Sequence, residues 1–238
     1  TSLPSANKSA SARHNSSSVT FTSSDPSVAS ISGNTLTITG AGSADIIAKQ
    51  PGNDTFGGAE KKATMTVAKA VATVTLSGLS AIYDGNPKPA TVVTSPGSLK
   101  VASLYGAAPG STAVPSAAGS YPVSVSVDER NYSGSATGTL LISKAPQSVT
   151  FAGVAVKSVS DAPFALAGSA SSGLAVAFSS SNPLIASVAG NVVTLRAAGS
   201  VSITASQPGN ENFNAADAVS RTLVVEPLDR KSTRLNSS

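Results

Sequence analysis

Val176-Ala177-Phe178-Ser179-Ser180-Ser181-Asn182-Pro183 repeats Val19-Thr20-Phe21-Thr22-Ser23-Ser24-Asp25-Pro26 at an offset of 157 residues, and the fold prediction starts from this repeat. The match continues without a gap as far as Phe56 and Phe213, and about half of the positions between residues 19 and 59 are identical. Internal similarity at a fixed offset indicates two copies of one structural unit. We therefore expect one small domain near each end of the chain.

Apolar residues alternate with polar ones inside the repeat, which is typical of half-buried β-strands. Ile31, Leu36 and Ile38 follow this pattern on either side of Gly33-Asn34. Such a pair suits a two-residue hairpin turn, which needs positive φ. The second copy preserves the pattern at Val188, Gly190-Asn191, Val193 and Leu195.

A further strand is predicted around Ile46, where Ala44 and Ala48 complete the period of two. Gln50-Pro51-Gly52-Asn53 ends that strand, since proline fixes φ and glycine supplies the positive φ of a turn. Phe56 follows the turn, and we expect this residue and its counterpart to fill the core of each copy. The counterparts in the second copy are Val201, Ile203, Ala205, Gln207-Pro208-Gly209-Asn210 and Phe213.

A different module lies between the two copies. Its alternating segments predict strands at 71–76, 91–94, 99–105, 121–127 and 137–142, with turns at Tyr83-Asp84-Gly85 and at 128–132. No stretch has a convincing apolar period of 3.6 residues, so we predict almost no helix. The fold class that follows is all-β, built from several small β-sandwiches.

The composition agrees with thin cores between sheets. Hydrophobic residues make up 40% of the chain but aromatic residues only 4%, and charged residues account for 12%. Cysteine is absent, which excludes disulfides, thiolate nucleophiles and cysteine-based metal sites. No apolar run approaches the roughly 20 residues that a membrane-spanning helix needs.

Five segments are predicted. Residues 1–18 do not match their counterparts at 158–175, so we expect a poorly ordered leader and an incomplete first module at 19–68. The middle module occupies 69–145 and the complete copy of the repeat occupies 146–228. The joints Ala68-Lys69-Ala70 and Lys144-Ala145-Pro146 are too short for flexible tethers, so the modules should form a semi-rigid rod.

The final ten residues, 229–238, change character abruptly and resemble one reading frame of a common sequencing adapter. We exclude them from the reasoning about the fold, as one excludes a fusion scar. Without them the net charge falls from +4 to +2. The basic charge therefore gives little support to a nucleic-acid or membrane-surface partner.

Family resemblance adds to this interpretation. Residues 147–226 resemble bacterial immunoglobulin-like group 2 repeats through Asp161-Ala162-Pro163-Phe164, Ala198-Gly199-Ser200 and the motifs quoted above. Residues 71–143 resemble an MBG-type module, a name taken from mucin-binding proteins, through Tyr83-Asp84-Gly85 and Asn131-Tyr132. The resemblance implies immunoglobulin-like β-sandwiches in tandem, forming an elongated array in exported adhesins.

Catalytic chemistry has little support in the sequence. His14 is the only histidine and lies in the Ser-rich leader, so no Ser-His-Asp arrangement is credible. Glu129, Asp128 and Asp84 give only weak support to a carboxylate pair for glycoside hydrolysis, because they lie on separate short turns with no aromatic platform nearby. Four aspartates are conceivable calcium ligands, namely Asp25, Asp45, Asp54 and Asp84. Turn formation is the favoured role for them, because the sequence has no Asp-x-Asp-x-Asp loop. We expect no enzyme, no cofactor and no metal site.

The tyrosines offer the remaining binding hypothesis. Tyr83, Asp84, Tyr105 and Tyr132 are the candidate ligand-binding residues, although tyrosines in a module this poor in aromatics more often fill the core. The leading hypothesis is a stalk of a large secreted or surface-displayed bacterial protein, whose partners are neighbouring repeats. The alternatives are a glycan- or host-protein-binding module and an accessory module of a secreted polysaccharide-degrading enzyme.

Overall fold

The computed structural model describes residues 18–107 and 110–228. The predicted adapter-derived tail and all but the last residue of the predicted leader lie outside these ranges. The described residues form strands, turns and bends with no helix, so the all-β prediction is confirmed. The strands, in chain order, are β1 (Thr20–Ser23), β2 (Ala29–Ser32), β3 (Thr35–Ile38), β4 (Gly42–Gln50), β5 (Ala59–Val67), β6 (Ala70–Val71), β7 (Thr73–Ser77), β8 (Ser80–Ile82), β9 (Thr91–Ser95), β10 (Val101–Tyr105), β11 (Gly119–Val127), β12 (Tyr132–Ser133), β13 (Ser135–Ser143), β14 (Val149–Phe151), β15 (Lys157–Ser158), β16 (Phe164–Ala165), β17 (Gly168–Ala170), β18 (Ala177–Ser180), β19 (Ala186–Ala189), β20 (Val192–Leu195), β21 (Gly199–Ser206) and β22 (Val219–Glu226).

The third segment, residues 146–228, forms a β-sandwich. One sheet has the order β15-β22-β21-β18 and the other β16-β20-β19, with β14 and β17 paired beside them. Alternate residues of each strand point inward, so the two faces close on a core of small aliphatic side chains. The core residues with no exposed surface are Ala186, Val193, Ile203, Ala205 and Leu223.

The predicted hairpin turns are present in both copies of the repeat. Strand β2 pairs with β3, and β19 pairs with β20, in antiparallel register. Gly33 has φ of 59° and Gly190 has φ of 60°, while the asparagine after each has negative φ. Glycine at the first central position is the requirement of a type II′ turn, whose twist matches that of the strands.

The first segment, residues 19–68, reproduces part of this sandwich. Its sheet has the order β1-β4-β5, and Phe21 faces Ala48 just as Phe178 faces Ala205 in the third segment. In the third segment β16 pairs with β20, whereas β3 pairs only with β2 among the described strands. As a result Leu36 is 40% exposed, although its counterpart Val193 is fully buried.

The middle segment, residues 69–145, contains the sheet order β10-β11-β13-β8 and the pairs β7-β9 and β6-β12. The alternation predicted for 121–127 is confirmed, since Val123 and Val125 of β11 are 1% and 2% exposed. Strand β8 pairs with β13 in parallel, as does β6 with β12. Sequence periodicity carries no information on these pairings.

The chain divides into two compact units. The first contains the described residues up to Leu76 together with Val92–Ser103 and Ser124–Thr137. The second contains Ser77–Thr91, Leu104–Val123 and the described residues from Gly138. The division runs through the middle segment, and the five-segment scheme of the sequence analysis stays a prediction.

The expectation that Phe56 and Phe213 fill the cores is wrong. Phe56 is 37% exposed, and Phe213 is half-buried. Both residues lie in the connection between the last two strands of their segment, Phe56 between β4 and β5 and Phe213 between β21 and β22, and so outside the paired strands. The burial of an aromatic side chain at this position therefore depends on the residues that pack against the turn.

Candidate functional site

The Tyr83-Asp84-Gly85 turn is an ordered, internally bonded structure at the end of β8. The Tyr83 amide donates to the Ser143 carbonyl at 2.9 Å, and the Asn86 amide donates to the Asp84 carboxylate at 2.9 Å. Gly85 has φ of 83°, a conformation that favours glycine. The turn therefore needs a glycine at its third position for backbone reasons.

Asp84 is engaged inside its own turn. The Lys88 ammonium lies 2.5 Å from the Asp84 carboxylate. This hydrogen bond, with that from the Asn86 amide, lowers the pKa of Asp84 below its ordinary value of 3.8. A carboxylate with these partners is held in a turn, although half of its side-chain surface, 51%, still faces solvent.

The Tyr83 ring packs edge-on against Phe213. The two ring centroids are 5.4 Å apart and the planes meet at 83°. This geometry places the positive edge of one ring on the negative face of the other. Tyr83 is thus partly covered by the Phe213 turn of the third segment.

The four candidate binding residues have different surroundings. Tyr105 is 6% exposed, and its hydroxyl accepts a hydrogen bond from the Ala90 amide at 3.0 Å. Tyr132 is half-buried in β12 and belongs to the other compact unit. Among the four, only Tyr83 and Asp84 share one turn, and their ligand-binding role stays a prediction.

The first joint is built around Asn131, in the turn that follows β11. Its side-chain oxygen accepts a hydrogen bond from the Ala41 amide of the first segment at 2.8 Å. Its backbone carbonyl accepts from the Ala70 amide of the linker at 2.8 Å. The Lys69 ammonium donates to the Glu129 carbonyl at 2.6 Å. One asparagine therefore ties the linker and the first segment to the middle segment.

The second joint repeats this arrangement around Asn212. Its side-chain oxygen accepts from the Ala118 amide of the middle segment at 2.9 Å, and its carbonyl accepts from the Ala145 amide at 2.9 Å. The Lys144 ammonium donates to the Asn210 carbonyl at 2.7 Å. The two joints thus use the same groups in the same order.

A short sequence pattern underlies both joints. Each linker contributes Lys-Ala, and each following segment contributes an asparagine followed by an aromatic residue that lies beside the linker alanine. The amide that binds the asparagine side chain begins an Ala-Gly-Ser sequence in each case, at Ala41 and at Ala118. Sequence reasoning missed these residues, although the recurrence of Lys-Ala and Asn-aromatic was a signal that could have found them.

An arginine and an aspartate add further contacts at the first joint. The Arg130 guanidinium donates to the Ser27 hydroxyl at 2.5 Å and lies 3.9 Å from the Asp25 carboxylate. Ser27 also donates to Asp25 through its hydroxyl and its amide, and these bonds, with a smaller contribution from Arg130, lower the Asp25 pKa. The position before Asn212 is Glu211, so the second joint has no such cation.

Three of the aspartates considered as calcium ligands have protein partners, namely Asp25, Asp45 and Asp84. Asp45 of β4 accepts from the Lys62 ammonium and the Thr64 hydroxyl, both at 2.7 Å, and these bonds lower its pKa. Within residues 18–107 and 110–228, no group of three or more His, Cys, Asp or Glu side chains is placed to hold a metal ion. Among the same residues, no helix is long and apolar enough to cross a membrane.

These sheets define an all-β protein, and its third segment is a β-sandwich. Within the chain, residues 72–146 match the family model of the MBG domain, in agreement with the resemblance seen in the sequence. The chain matches none of the curated proteins.

Several solved structures are similar to this chain. Drosophila N-cadherin EC1-4 is 9% identical over 89% of this chain and 67% of that one, with a TM-score of 0.33. Sidekick-1 immunoglobulin domains 1-5 are 11% identical over 88% of this chain, with a TM-score of 0.36. Domains 1-6 of the surface layer protein SbsC are 17% identical over 89% of this chain, with a TM-score of 0.31. The chain spans 52% of the Sidekick-1 fragment and 35% of the SbsC fragment.

Proposed function

We propose that this chain is a stalk segment of a large secreted or surface-displayed bacterial adhesin-like protein, and that it has no catalytic role. Its working parts are three modules, at 19–68, 69–145 and 146–228, whose partners are the neighbouring modules of the same chain. A stalk holds a distal domain at a distance, so its modules must resist bending at their joints.

The observation that carries this proposal is the pair of asparagine-centred joints. A flexible tether leaves its backbone groups in water. Here the linker amides of Ala70 and Ala145 are bonded to the following segment, and the linker lysines are bonded there as well. Each joint also joins the two segments on either side of the linker through an asparagine side chain. Fixed linkers are what a spacer requires.

The side-chain chemistry agrees with a structural role. The candidate aromatic residues are engaged in packing or internal hydrogen bonds, as for Tyr83 and Tyr105. The candidate carboxylate Asp84 is paired with Lys88 in the same turn. The match of residues 72–146 to the MBG domain supports a place among modular surface proteins.

Stiffness at the joints can be measured by single-molecule energy transfer. The chain has no cysteine, so Lys61→Cys and Arg221→Cys give two unique dye positions on exposed strand residues. A stalk predicts one narrow distance distribution, which broadens when Asn131 and Asn212 are both replaced by alanine. A broad distribution in the chain with intact asparagines would contradict the proposal.

Direct recognition is the competing outcome, and a glycan array with the whole chain addresses it. If the stalk proposal is right, no glycan binds in a way that depends on Tyr83. Glycan binding that is lost in Tyr83→Ala, while the amide-exchange pattern of the sheets is unchanged, would instead favour the middle module as a receptor.

A further inference from the structure

A four-residue sequence that contacts a neighbouring module in this chain occurs a second time, and there no asparagine among the described residues binds it. Ala117-Ala118-Gly119-Ser120 receives Asn212 at the second joint. Ala197-Ala198-Gly199-Ser200 is identical and begins β21 of the third segment. It is also the repeat counterpart of Gly40-Ala41-Gly42-Ser43, which receives Asn131 at the first joint. We refer to these three sequences as the first, second and third seats, in chain order 40–43, 117–120 and 197–200.

The two occupied seats share one contact, a backbone N–H that donates to an asparagine side chain. At the first seat the distance from the Ala41 nitrogen to Asn131 Oδ1 is 2.8 Å, and Ala41 is 8% exposed. At the second seat the Ala118 nitrogen lies 2.9 Å from Asn212 Oδ1, and Ala118 is half-buried. The contact uses only a backbone N–H of the seat and no side chain. The seats differ in backbone conformation, since Gly42 of the first seat has φ of 140° and Gly119 of the second seat does not have positive φ.

The third seat has the same backbone arrangement as the first seat. Gly199 has φ of 151° and Gly42 has φ of 140°. The amides of the two residues before Ala198 donate to the Ile185 carbonyl, as those before Ala41 donate to the Val28 carbonyl. The backbone of the third seat therefore needs no rearrangement before another module binds.

The third seat is uncovered. Ala198 is exposed, and no hydrogen bond joins its amide to another of the described residues. Leu184 is 79% exposed at the position of Ser27, the residue that Arg130 contacts at the first joint. Leu228 is 62% exposed. The exposed Ala198 thus contrasts with Ala41 of the first seat, which is 8% exposed.

The chain leaves the third segment at the place where a linker leaves the first. Strand pairing places Val67 opposite Gly42, and Val225 opposite Gly199. Ala70 is three residues beyond Val67, and Leu228 is three residues beyond Val225. Leu228 therefore occupies the position of the linker alanine, whose amide donates to the carbonyl of the joint asparagine.

We infer that the third seat is a docking surface for another module of this construction, one that presents an asparagine followed by tyrosine or phenylalanine. The asparagine side chain accepts from the Ala198 amide, and its carbonyl accepts from the Leu228 amide. Leu184 and Leu228 are covered by the same module. This deepens the proposed stalk function, because it makes the joint a repeating head-to-tail contact.

The occupant is a module with an asparagine-aromatic turn, because such turns cover the other two seats. A second copy of this chain is less well matched. Its own asparagine-aromatic turns are engaged at the existing joints, and the counterpart of Asn212 in the first segment is Thr55. A single backbone amide offers too few polar groups to recognise a glycan.

The test extends the chain by its own sequence. Residues 71–228 are joined directly after Leu228, so that Leu228-Val71 stands in place of Ala70-Val71. The added part keeps its own second joint, and exchange protection of its Ala118 amide reports that it has folded. Amide hydrogen exchange is then followed by NMR in two samples. In one only the original part is isotopically labelled, which reports on Ala198, and in the other only the added part is labelled, which reports on its Ala118.

The expected result is that the Ala198 amide exchanges quickly in the original chain and slows in the extended one to the range of Ala41 and Ala118. Asn131→Ala in the added part should restore fast exchange, while Asn131→Asp, which keeps the acceptor oxygen, should not. Continued fast exchange of Ala198 beside a folded added part would overturn the inference. So would concentration-dependent protection of Ala198 in the original chain, because a second copy would then be the occupant.

Failure of this test is separable from failure of the stalk proposal. The distance distribution measured within residues 61–221 depends on the two existing joints alone. A narrow distribution with an unprotected Ala198 amide would retain the stalk and reject the third seat.

Discussion

The side-chain oxygen of Asn131 accepts a hydrogen bond from the backbone N–H of Ala41 at 2.8 Å, although 90 residues separate them in sequence. Asn212 and Ala118 form the same contact at 2.9 Å across 94 residues. A backbone amide that is covered by a neighbouring module needs such an acceptor, since an unpaired buried amide costs free energy. The joints are thus closed by backbone groups that only a neighbouring module satisfies.

Replacing the joint asparagines should weaken each joint separately. Asn131→Ala is expected to lower the free energy of unfolding of the first compact unit by about 1–2 kcal/mol, because the Ala41 amide loses its acceptor. Urea unfolding and amide exchange at Ala41 measure this. Asn131→Asp is the matched control, since it keeps an acceptor oxygen. An unchanged exchange rate at Ala41 in Asn131→Ala would disprove the role of this bond.

The two repeated phenylalanines should differ in importance. Phe213 packs edge-on against Tyr83, while Phe56 is 37% exposed. A double-mutant cycle with Tyr83→Ala and Phe213→Ala should give a coupling energy of about 0.5–1.5 kcal/mol. The same cycle with Phe56→Ala in place of Phe213→Ala should give no coupling energy. Equal coupling for both phenylalanines would show that the ring contact is not the cause.

The isoleucines at another pair of repeat positions provide a comparison of core packing. Ile203 is fully buried, whereas Ile46 is only half-buried in the first segment. Ile203→Ala should cost about 2–5 kcal/mol, because it leaves a cavity in a closed core. Ile46→Ala should cost clearly less. Thermal or urea unfolding of both variants measures these losses of stability. Similar losses would mean that the core of the first segment is as closed as that of the third.

The Tyr105 hydroxyl is predicted to act within the middle segment. Tyr105→Phe removes the acceptor for the Ala90 amide and should cost about 1 kcal/mol. Tyr121→Phe is the control, because the hydroxyl of Tyr121 donates to the Ala117 carbonyl in an exposed bond, and its loss should cost less. A ligand-binding role would be indicated instead if Tyr105→Phe left stability unchanged but altered binding to a glycan array.

Acid should loosen the first segment through Asp45. Its hydrogen bonds with Lys62 and then Thr64 lower its folded-state pKa below 3.8. Stability from this group is fully present above the unfolded value of about 3.9 and is lost as pH falls through the lower folded pKa. A carbon-13 titration of the Asp45 carboxyl should give a value below 3.8, and Asp45→Asn should remove this part of the acid dependence. A titration midpoint at or above 3.8 would contradict the assignment.

The amino-acid sequence determined the strands and turns. Strand β11 follows from its alternation alone, and Val123 and Val125 are buried as that alternation requires. Gly33 and Gly190 take positive φ because a two-residue hairpin turn demands it, whatever surrounds the hairpin. These properties arise from neighbouring residues of one strand or turn, so a short window of sequence contains the cause.

The contacts between the segments follow from the tertiary structure and not from the sequence pattern. Phe56 and Phe213 occupy the same position in the repeat, yet only Phe213 meets an aromatic partner, because Tyr83 of the middle segment lies against it. Asn131 lies in a predicted turn and Asn212 lies just after one, and the role of both depends on amides about ninety residues away. Burial and hydrogen-bond pairing between segments depend on which surfaces meet, and a periodic pattern within one segment does not specify its neighbour.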